Sequence, residues 1–315
     1  MLTFTNKNDF YALTQSAIID LRSNCKFTAQ HFKHSCNIEL SSLENRLHEL
    51  PESSQIISII GEDNELQIAS DFLIKKGYEI LFRVEAKTEA TSDVNSDTTS
   101  FFKIYNEFDW FESGKTSYRL WKPSSVVSLF HDQYAHLIAD NTSVVKNSLK
   151  GLDLACGAGR DSVFMAMQCW DMTAVDYKSS ALLRVKSLAE NNDCDVKTVE
   201  LDLEKIELNA TTIQFPSAWL WSYDVVIVSR YLHRPLLDYI DALLKPNGFI
   251  VYQTFLEGCE KFGSPKNPRY LLKQGELASV FSSYKVLYDQ VVKLSDGRPT
   301  NAFIAQKQNA IDILS

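Results

Sequence analysis

Between Leu149 and Phe255 the chain alternates short apolar runs with stretches of helical spacing, and no other feature constrains its fold as tightly. The runs "LKGLDLA" (149–155), "MTAVD" (172–176), "VKTVELD" (196–202), "YDVVIVS" (223–229) and "FIVYQTF" (249–255) have the length and composition of buried strands. The stretches 160–170, 179–192 and 235–248 return apolar residues at helical spacing. Ser179 suits the cap of the second. The third opens on Pro235 and is expected to stop at Pro246-Asn247-Gly248. "YKVLYDQVVKL" and "TNAFIAQKQ" predict a terminal pair of strands. A strand followed by a helix returns parallel to itself, so the expected fold is α/β, a mostly parallel sheet covered by helices on both faces. The ligand of such a sheet belongs beyond the carboxyl ends of its strands.

The first strand runs into Ala155-Cys156-Gly157-Ala158-Gly159-Arg160-Asp161-Ser162, a small-residue turn that opens a helix. A dinucleotide-binding turn wants G-x-G-x-x-G/A, and Gly157 and Gly159 supply its first two glycines, with Ser162 third. The objection is electrostatic: a pyrophosphate at this helix start would lie beside the Asp161 carboxylate. Asp153 at the strand end also suits a cation rather than a phosphate. S-adenosylmethionine carries a sulfonium, an ammonium and a ribose but no phosphate, so acids at the strand ends attract it. Asp176 ends the next strand 17 residues past Gly159, a spacing at which an acid takes ribose hydroxyls. Asp202 ends the third strand, placed to meet the adenine amino group.

The pieces "LDLACGAGRDS", "MTAVDYKSSAL", "VELDLE", "YDVVIVSRYLHRP" and "LKPNGFIVYQTF" resemble the class I S-adenosylmethionine-dependent methyltransferases, over about Trp121 to Lys307. "GAGRDS" and "RYLHRPL" are closest to the tellurite-resistance-type branch. The resemblance implies a Rossmann-like sheet whose last strand is antiparallel. It implies cofactor contacts from Asp153, Ala155, Gly157, Gly159, Arg160, Asp176, Tyr177, Asp202, Leu203 and Ser229. The family's first glycine is Ala155 here, and a slight shift of the loop is expected.

Methyl transfer is an in-line displacement at an already activated carbon, so the protein mainly positions and desolvates two partners. A base is needed only where the nucleophile must lose a proton. Loops after the fourth and fifth strands would face the substrate, with Ser229, Arg230, Tyr231, His233 and Arg234 on one and Thr254 and Phe255 on the other. His233 is the candidate base, although a histidine at a helix start also serves by bonding a carbonyl. Arg230 and Arg234 suit an anionic group, or pairing with nearby acids. Residues 258–276, rich in glycine and proline, predict a lid. Tyr118, Arg119 and Trp121 lead into the domain, as a cover for the cofactor or as a packed linker.

A polar stretch from Glu85 to Ser100 without aromatic residues marks a linker. The expected division is therefore 1–84, a lead-in over 85–120, and 121–315. Residues 17–80 resemble the rhodanese domain in the strand ending Asp20-Leu21-Arg22, in Phe27 and His31, in "CNIEL" and in "LIKKGYEI". The resemblance implies a catalytic cysteine after "QIISIIG", but this chain has Glu62-Asp63-Asn64-Glu65 there. The nucleophile is absent and the local charge would repel an anionic sulfur. A module for docking, stability or substrate presentation is the expectation.

The net charge of −8 disfavours nucleic acid, which leaves a small metabolite as the expected substrate. RNA remains the alternative, gripped by a rim of Arg119, Lys122, Arg230, Arg234, Lys261, Lys266 and Arg269 with help from the first block. A cofactor sensor without turnover is a third reading, and a dehydrogenase a distant fourth. Six scattered cysteines without a C-x-x-C pair suggest reduced thiols in the cytoplasm. No metal is expected: His31, His34 and Cys36 fit no common zinc spacing. No apolar run is long enough to span a membrane. Oligomeric state is not readable.

Overall fold

The structure is a computed structural model, described over residues 7–86, 110–139, 149–205 and 215–308. The chain divides into two compact units, Met1–Trp121 and Lys122–Ser315.

The first unit is built on a four-stranded parallel sheet in the order β3-β1-β4-β5. These strands are β1 (Ala17–Asp20), β3 (Ser35–Asn37), β4 (Ile57–Gly61) and β5 (Ile80–Glu85). Two short strands, β2 (His31–Phe32) and β6 (Phe111–Glu112), pair antiparallel. Successive residues of a strand face opposite ways, which gives the sheet two apolar faces. Ile19, Ile57 and Ile59 pack with Leu66, Ala69 and Leu73 of helix Asp63–Lys75. Ile18 and Ile60 pack with Leu13, Phe82 and Val84 on the other side.

One sequence-based boundary differs here. Residues 110–120 were expected in a lead-in ahead of the second domain, but they belong to the first unit, which runs to Trp121. There β6 pairs with β2, Tyr118 N–H donates to Ser35 O, and Leu120 joins the core. The rest of the linker, from residue 87 to 109, lies outside the described residues.

The second unit is a seven-stranded sheet in the order β12-β13-β11-β10-β7-β8-β9. The strands are β7 (Lys150–Leu154), β8 (Asp171–Asp176), β9 (Val196–Glu200), β10 (Tyr223–Ser229), β11 (Leu244–Phe255), β12 (Tyr284–Lys293) and β13 (Pro299–Lys307). The first five run parallel, and β13 runs antiparallel to both β11 and β12. The expected antiparallel last strand is therefore present. Val225, Ile227, Phe249, Val251 and Ile304 face helices Ser125–Gln133 and Arg160–Met167. Val226, Val228, Ile250, Tyr252 and Phe303 face helix Arg234–Leu243. Burial on both faces is why these strands read as unbroken apolar runs.

Two details depart from expectation. Helix 234–243 ends at Leu243 rather than at Gly248, and Leu244 is already extended (φ −84°, ψ 135°). Pro246 biases the residue before it away from helical geometry, so the chain enters β11 early. The ladder to β10 then skips from Leu244 to Phe249, with Asn247 at φ 64°. Ser179 is the first residue of helix Ser179–Glu190 rather than its cap; Lys178 is the cap, and its N–H is taken by the Asp176 side chain.

Candidate functional site

The chain reverses direction along the sheet edge between β7 and β10, and the glycine turn lies at that point, at the carboxyl end of β7. Ala155 (φ 58°), Gly157 (φ 58°) and Gly159 (φ 78°) all take the left-handed conformation. Glycine is free there, and alanine accepts about 1–2 kcal/mol of strain. Gly159 has a second reason: a Cβ would lie 2.6 Å from Val185, so the two helices flanking the turn could not approach as they do. Ala155 thus occupies the geometry of a glycine, and it lines an adjacent cavity.

That cavity, of 490 Å³, lies beyond the ends of β7, β8 and β9. Its described lining is Ala155, Asp176 and Tyr177, then the run Leu201 to Lys205, then Tyr231 and Tyr270. Asp176 is 8% exposed and bonds two backbone amides, Gly157 N–H at 3.0 Å and Lys178 N–H at 2.9 Å. Each carboxylate oxygen keeps a second lone pair. Asp202 pairs with Lys205 at 3.0 Å and accepts the Glu204 N–H. The Lys205 hydrogen bond holds its carboxyl below the usual range. Three carboxylates therefore meet one lysine in the wall, a lining matched to a cationic ligand.

Tyr270 comes to the lining from a strap, residues 258–276. Arg234 fastens this strap: its guanidinium grips both oxygens of Glu276 (2.6 and 3.0 Å) and donates to Arg269 O and Leu271 O, each at 2.8 Å. Arg234 is therefore spent on the strap, and its charge is not free for an anionic substrate. Arg269, also of the strap, pairs with Glu204 of the lining at 3.2 Å. Tyr231 is anchored by its carbonyl, which accepts a hydrogen bond from Tyr252 Oη at 2.9 Å, and burial pushes the pKa of its own phenol up.

Of the residues expected to hold the cofactor, Ala155, Asp176, Tyr177, Asp202 and Leu203 line the cavity. Arg160, which opens helix 160–167, is not among its described lining, and neither is His233, the cap residue of helix 234–243. Arg230 is exposed, with a left-handed backbone (φ 56°) whose N–H donates to Gln253 O. Ser229 donates to Asp161 Oδ2 at 2.6 Å, so its hydroxyl is turned away to a buried acid. Ser124 also bonds Asp161, through its N–H (2.6 Å) and its Oγ (2.7 Å).

Asp153 lies beneath the turn, only 1% exposed, and accepts a hydrogen bond from Ser162 Oγ. Burial, and then the nearby Asp161, push its carboxyl up to about 8. Asp153 was expected among the cofactor contacts, and it is not among the cavity's described lining.

Leu201, Glu204, Lys205 and Tyr270 were not anticipated individually as lining. The first three flank Asp202 in sequence, and that adjacency was the available signal. Tyr270 arrives from the strap, 68 residues after Asp202, and nothing local announces it.

In the first unit β4 leads into helix 63–75. Its N-terminus is closed by a capping box: Glu62 accepts a backbone N–H of the first turn while Glu65 accepts the Glu62 N–H at 3.1 Å. Lys26 pairs with Glu62. His31 is buried, stacked on Phe27 at 3.8 Å, with Nδ1 on Phe27 O. Cys36 is buried, its thiol pushed up to about 11 by desolvation, and Ser117 Oγ donates to its sulfur. Among the described residues no group of three or more His, Cys, Asp or Glu is arranged to hold a metal ion, and no helix is long and apolar enough to cross a membrane.

Residues 152–250 match the family model described as a methyltransferase domain. Over a 329-residue alignment the chain is 23% identical to the uncharacterized protein UNK4.09 of Schizosaccharomyces pombe, covering 92% of this chain and 93% of that one. The structure of TehB from Haemophilus influenzae is similar over 58% of this chain and 67% of that one, at 17% identity and a TM-score of 0.41. N-methyltransferase NodS from Bradyrhizobium japonicum WM9, in complex with S-adenosyl-L-homocysteine, is similar over 59% and 89%, at 16% identity and a TM-score of 0.42.

Proposed function

We propose that this chain, whose second unit carries the domain of an S-adenosylmethionine-dependent methyltransferase, methylates a small metabolite at the cavity beyond β7, β8 and β9. The residues present fit that cofactor. A dinucleotide would need the turn's amides for phosphate, but the Gly157 N–H is already held by Asp176, and Asp161 adds a second acid at the helix start. Asp176 would take the ribose hydroxyls and Asp202 the adenine amino group. Leu203, Leu201 and Ala155 supply an apolar wall. When bound, the cofactor supplies a methyl group already activated by its sulfonium.

The observation that carries the small-molecule reading is the strap. Its fastening by Arg234, through Arg269 O, Leu271 O and Glu276, fixes the segment that carries Tyr270, which lines the cavity together with Tyr231. The same contacts weigh against RNA. Arg234 and Arg269, two members of the expected basic rim, are neutralised by Glu276 and Glu204. The described lining contains no histidine, so positioning and exclusion of water are the protein's contribution. His233, one residue beyond Leu232 in the loop after β10, is the group to test where the acceptor must lose a proton.

The first unit we read as rhodanese-like without sulfur transfer. The capping box uses the amides that an anionic sulfur would need, and Cys36 is a buried thiol rather than a thiolate. Thiosulfate-to-cyanide transfer that disappears on mutating Cys25 or Cys36 would overturn this reading. The six free thiols support a reducing compartment.

The deciding experiment is a fate experiment. The protein is incubated with methyl-labelled cofactor and lysate from cells lacking it, and the RNA, protein and small-molecule fractions are counted. Label in the small-molecule fraction is expected. Label in RNA would make the strap the edge of a nucleic-acid groove, and no label with cofactor binding intact would identify a sensor.

A further inference from the structure

Three carboxylates crowd the glycine turn from three elements: Asp153 from β7, Asp161 from helix 160–167 and Asp176 from β8. They are 1%, 7% and 8% exposed. Among the described residues none of the three has an ion-pair partner; Asp161 is held by Ser124 and Ser229, Asp176 by two backbone amides, and Asp153 by the Ser162 hydroxyl. Cys156, the other titratable group facing Asp153, is a thiol whose pKa burial, and then these acids, push up, so it stays protonated. Lys178, which follows Asp176 by two residues, is exposed to solvent and feels the Asp176 charge.

Asp153 is the deepest of the three and has a single neutral donor, so it bears the cost of the crowding. Its carboxyl is accordingly pushed up to about 8 by burial and by Asp161, and it holds a proton at neutral pH. A positive charge in the cavity, beside Ala155 and Asp176, is the counter-charge this cluster lacks.

We propose that Asp153 senses the charge of the cofactor: it releases its proton to solvent when a sulfonium enters the cavity, and keeps it when the neutral-sulfur product occupies the same place. The proposal rests on S-adenosylmethionine as the ligand. No covalent bond is made or broken between protein and ligand; a carboxylic acid becomes a carboxylate and one proton goes to buffer. The consequence is selectivity at the end of the cycle. Once the methyl cation has left, the carboxylate loses its counter-charge, takes a proton back, and the product is held less tightly.

Calorimetry tests this without turnover. Binding of S-adenosylmethionine and of S-adenosylhomocysteine is measured in two buffers of different ionisation enthalpy, from pH 6 to 9, on the wild type and on Asp153→Asn. Protons released should be greater for S-adenosylmethionine. Its affinity should rise by up to about tenfold per pH unit below pH 8 and level off above, while that of the product rises less. The α-ammonium is more acidic in the sulfonium ligand than in the neutral-sulfur one, so each ligand is titrated free in solution and its own proton change is subtracted before the two are compared. Asp153→Asn should abolish the difference between the ligands. Equal proton release by both ligands in the wild type, or a difference that persists in the variant, overturns the proposal. If Asp153→Asn does not fold, the wild-type comparison alone decides. Failure of S-adenosylmethionine to bind at any pH would instead sink the cofactor assignment, and the sensor with it.

Discussion

Asp176 ties the ends of two neighbouring strands together: its Oδ2 accepts the Gly157 N–H at 3.0 Å across from β7, while its Oδ1 accepts the Lys178 N–H at 2.9 Å on its own side. One carboxylate thereby shapes the turn, fixes the residue that precedes the helix after β8 and keeps free lone pairs beside the cavity. Asp176→Ala should weaken S-adenosylhomocysteine binding by ~1.5–3 kcal/mol, the size of hydrogen bonds to a charged group. Titration calorimetry reads this directly. Unchanged affinity would remove Asp176 from the ribose site.

Gly159 combines a left-handed backbone with the Val185 contact. Gly159→Ala should cost about 2–4 kcal/mol in denaturant unfolding, from backbone strain plus overpacking. Adding Val185→Ala should relieve the steric part and leave the strain. A double variant that recovers full stability would show that φ does not matter here.

The Arg234 clamp predicts a local effect. Lysine cannot reproduce a bidentate grip on Glu276 together with two carbonyls. Arg234→Lys should therefore loosen residues 258–276, which contain Lys261, Lys266, Arg269 and Lys273 as trypsin sites. A loss of about 1.4 kcal/mol corresponds to about tenfold faster cleavage there. Mass-spectrometric mapping of the first cut tests it, and cleavage elsewhere first would contradict it.

Asp153 predicts a pH dependence of stability. Its folded-state value is raised from 3.8 to about 8, so the folded protein binds this proton more tightly than the unfolded chain. The contribution is complete below about pH 4 and is lost as pH rises towards 8. Between pH 6 and 8.5 the wild type should lose more thermal stability than Asp153→Asn. Parallel melting curves across that range would contradict the assignment.

The order of elements in the second unit was legible because each strand and helix writes its own period locally. Asp176 and Asp202 were placed at strand ends by the same logic, and they meet at one cavity because adjacent parallel strands end side by side. The helix boundary at Leu243 was misread because helical spacing continues through Leu244 while the proline bias acts one residue earlier than expected. Residues 110–120 were misassigned because two-residue strands such as β2 and β6 have no period to read.

What the sequence by itself determined was the alternation of strand and helix, the small-residue turn and the spacing of the acids beyond it, since these follow from local periodicity and from the conformational range of glycine. Tertiary structure alone decided which way each polar group turned. Ser229 goes to Asp161, 68 residues away, Arg234 goes to Glu276, and Asp153 is met by the Ser162 hydroxyl. The reason is physical: a side chain's partner is whatever donor or charge packing brings to it, and packing is settled between elements far apart in the chain.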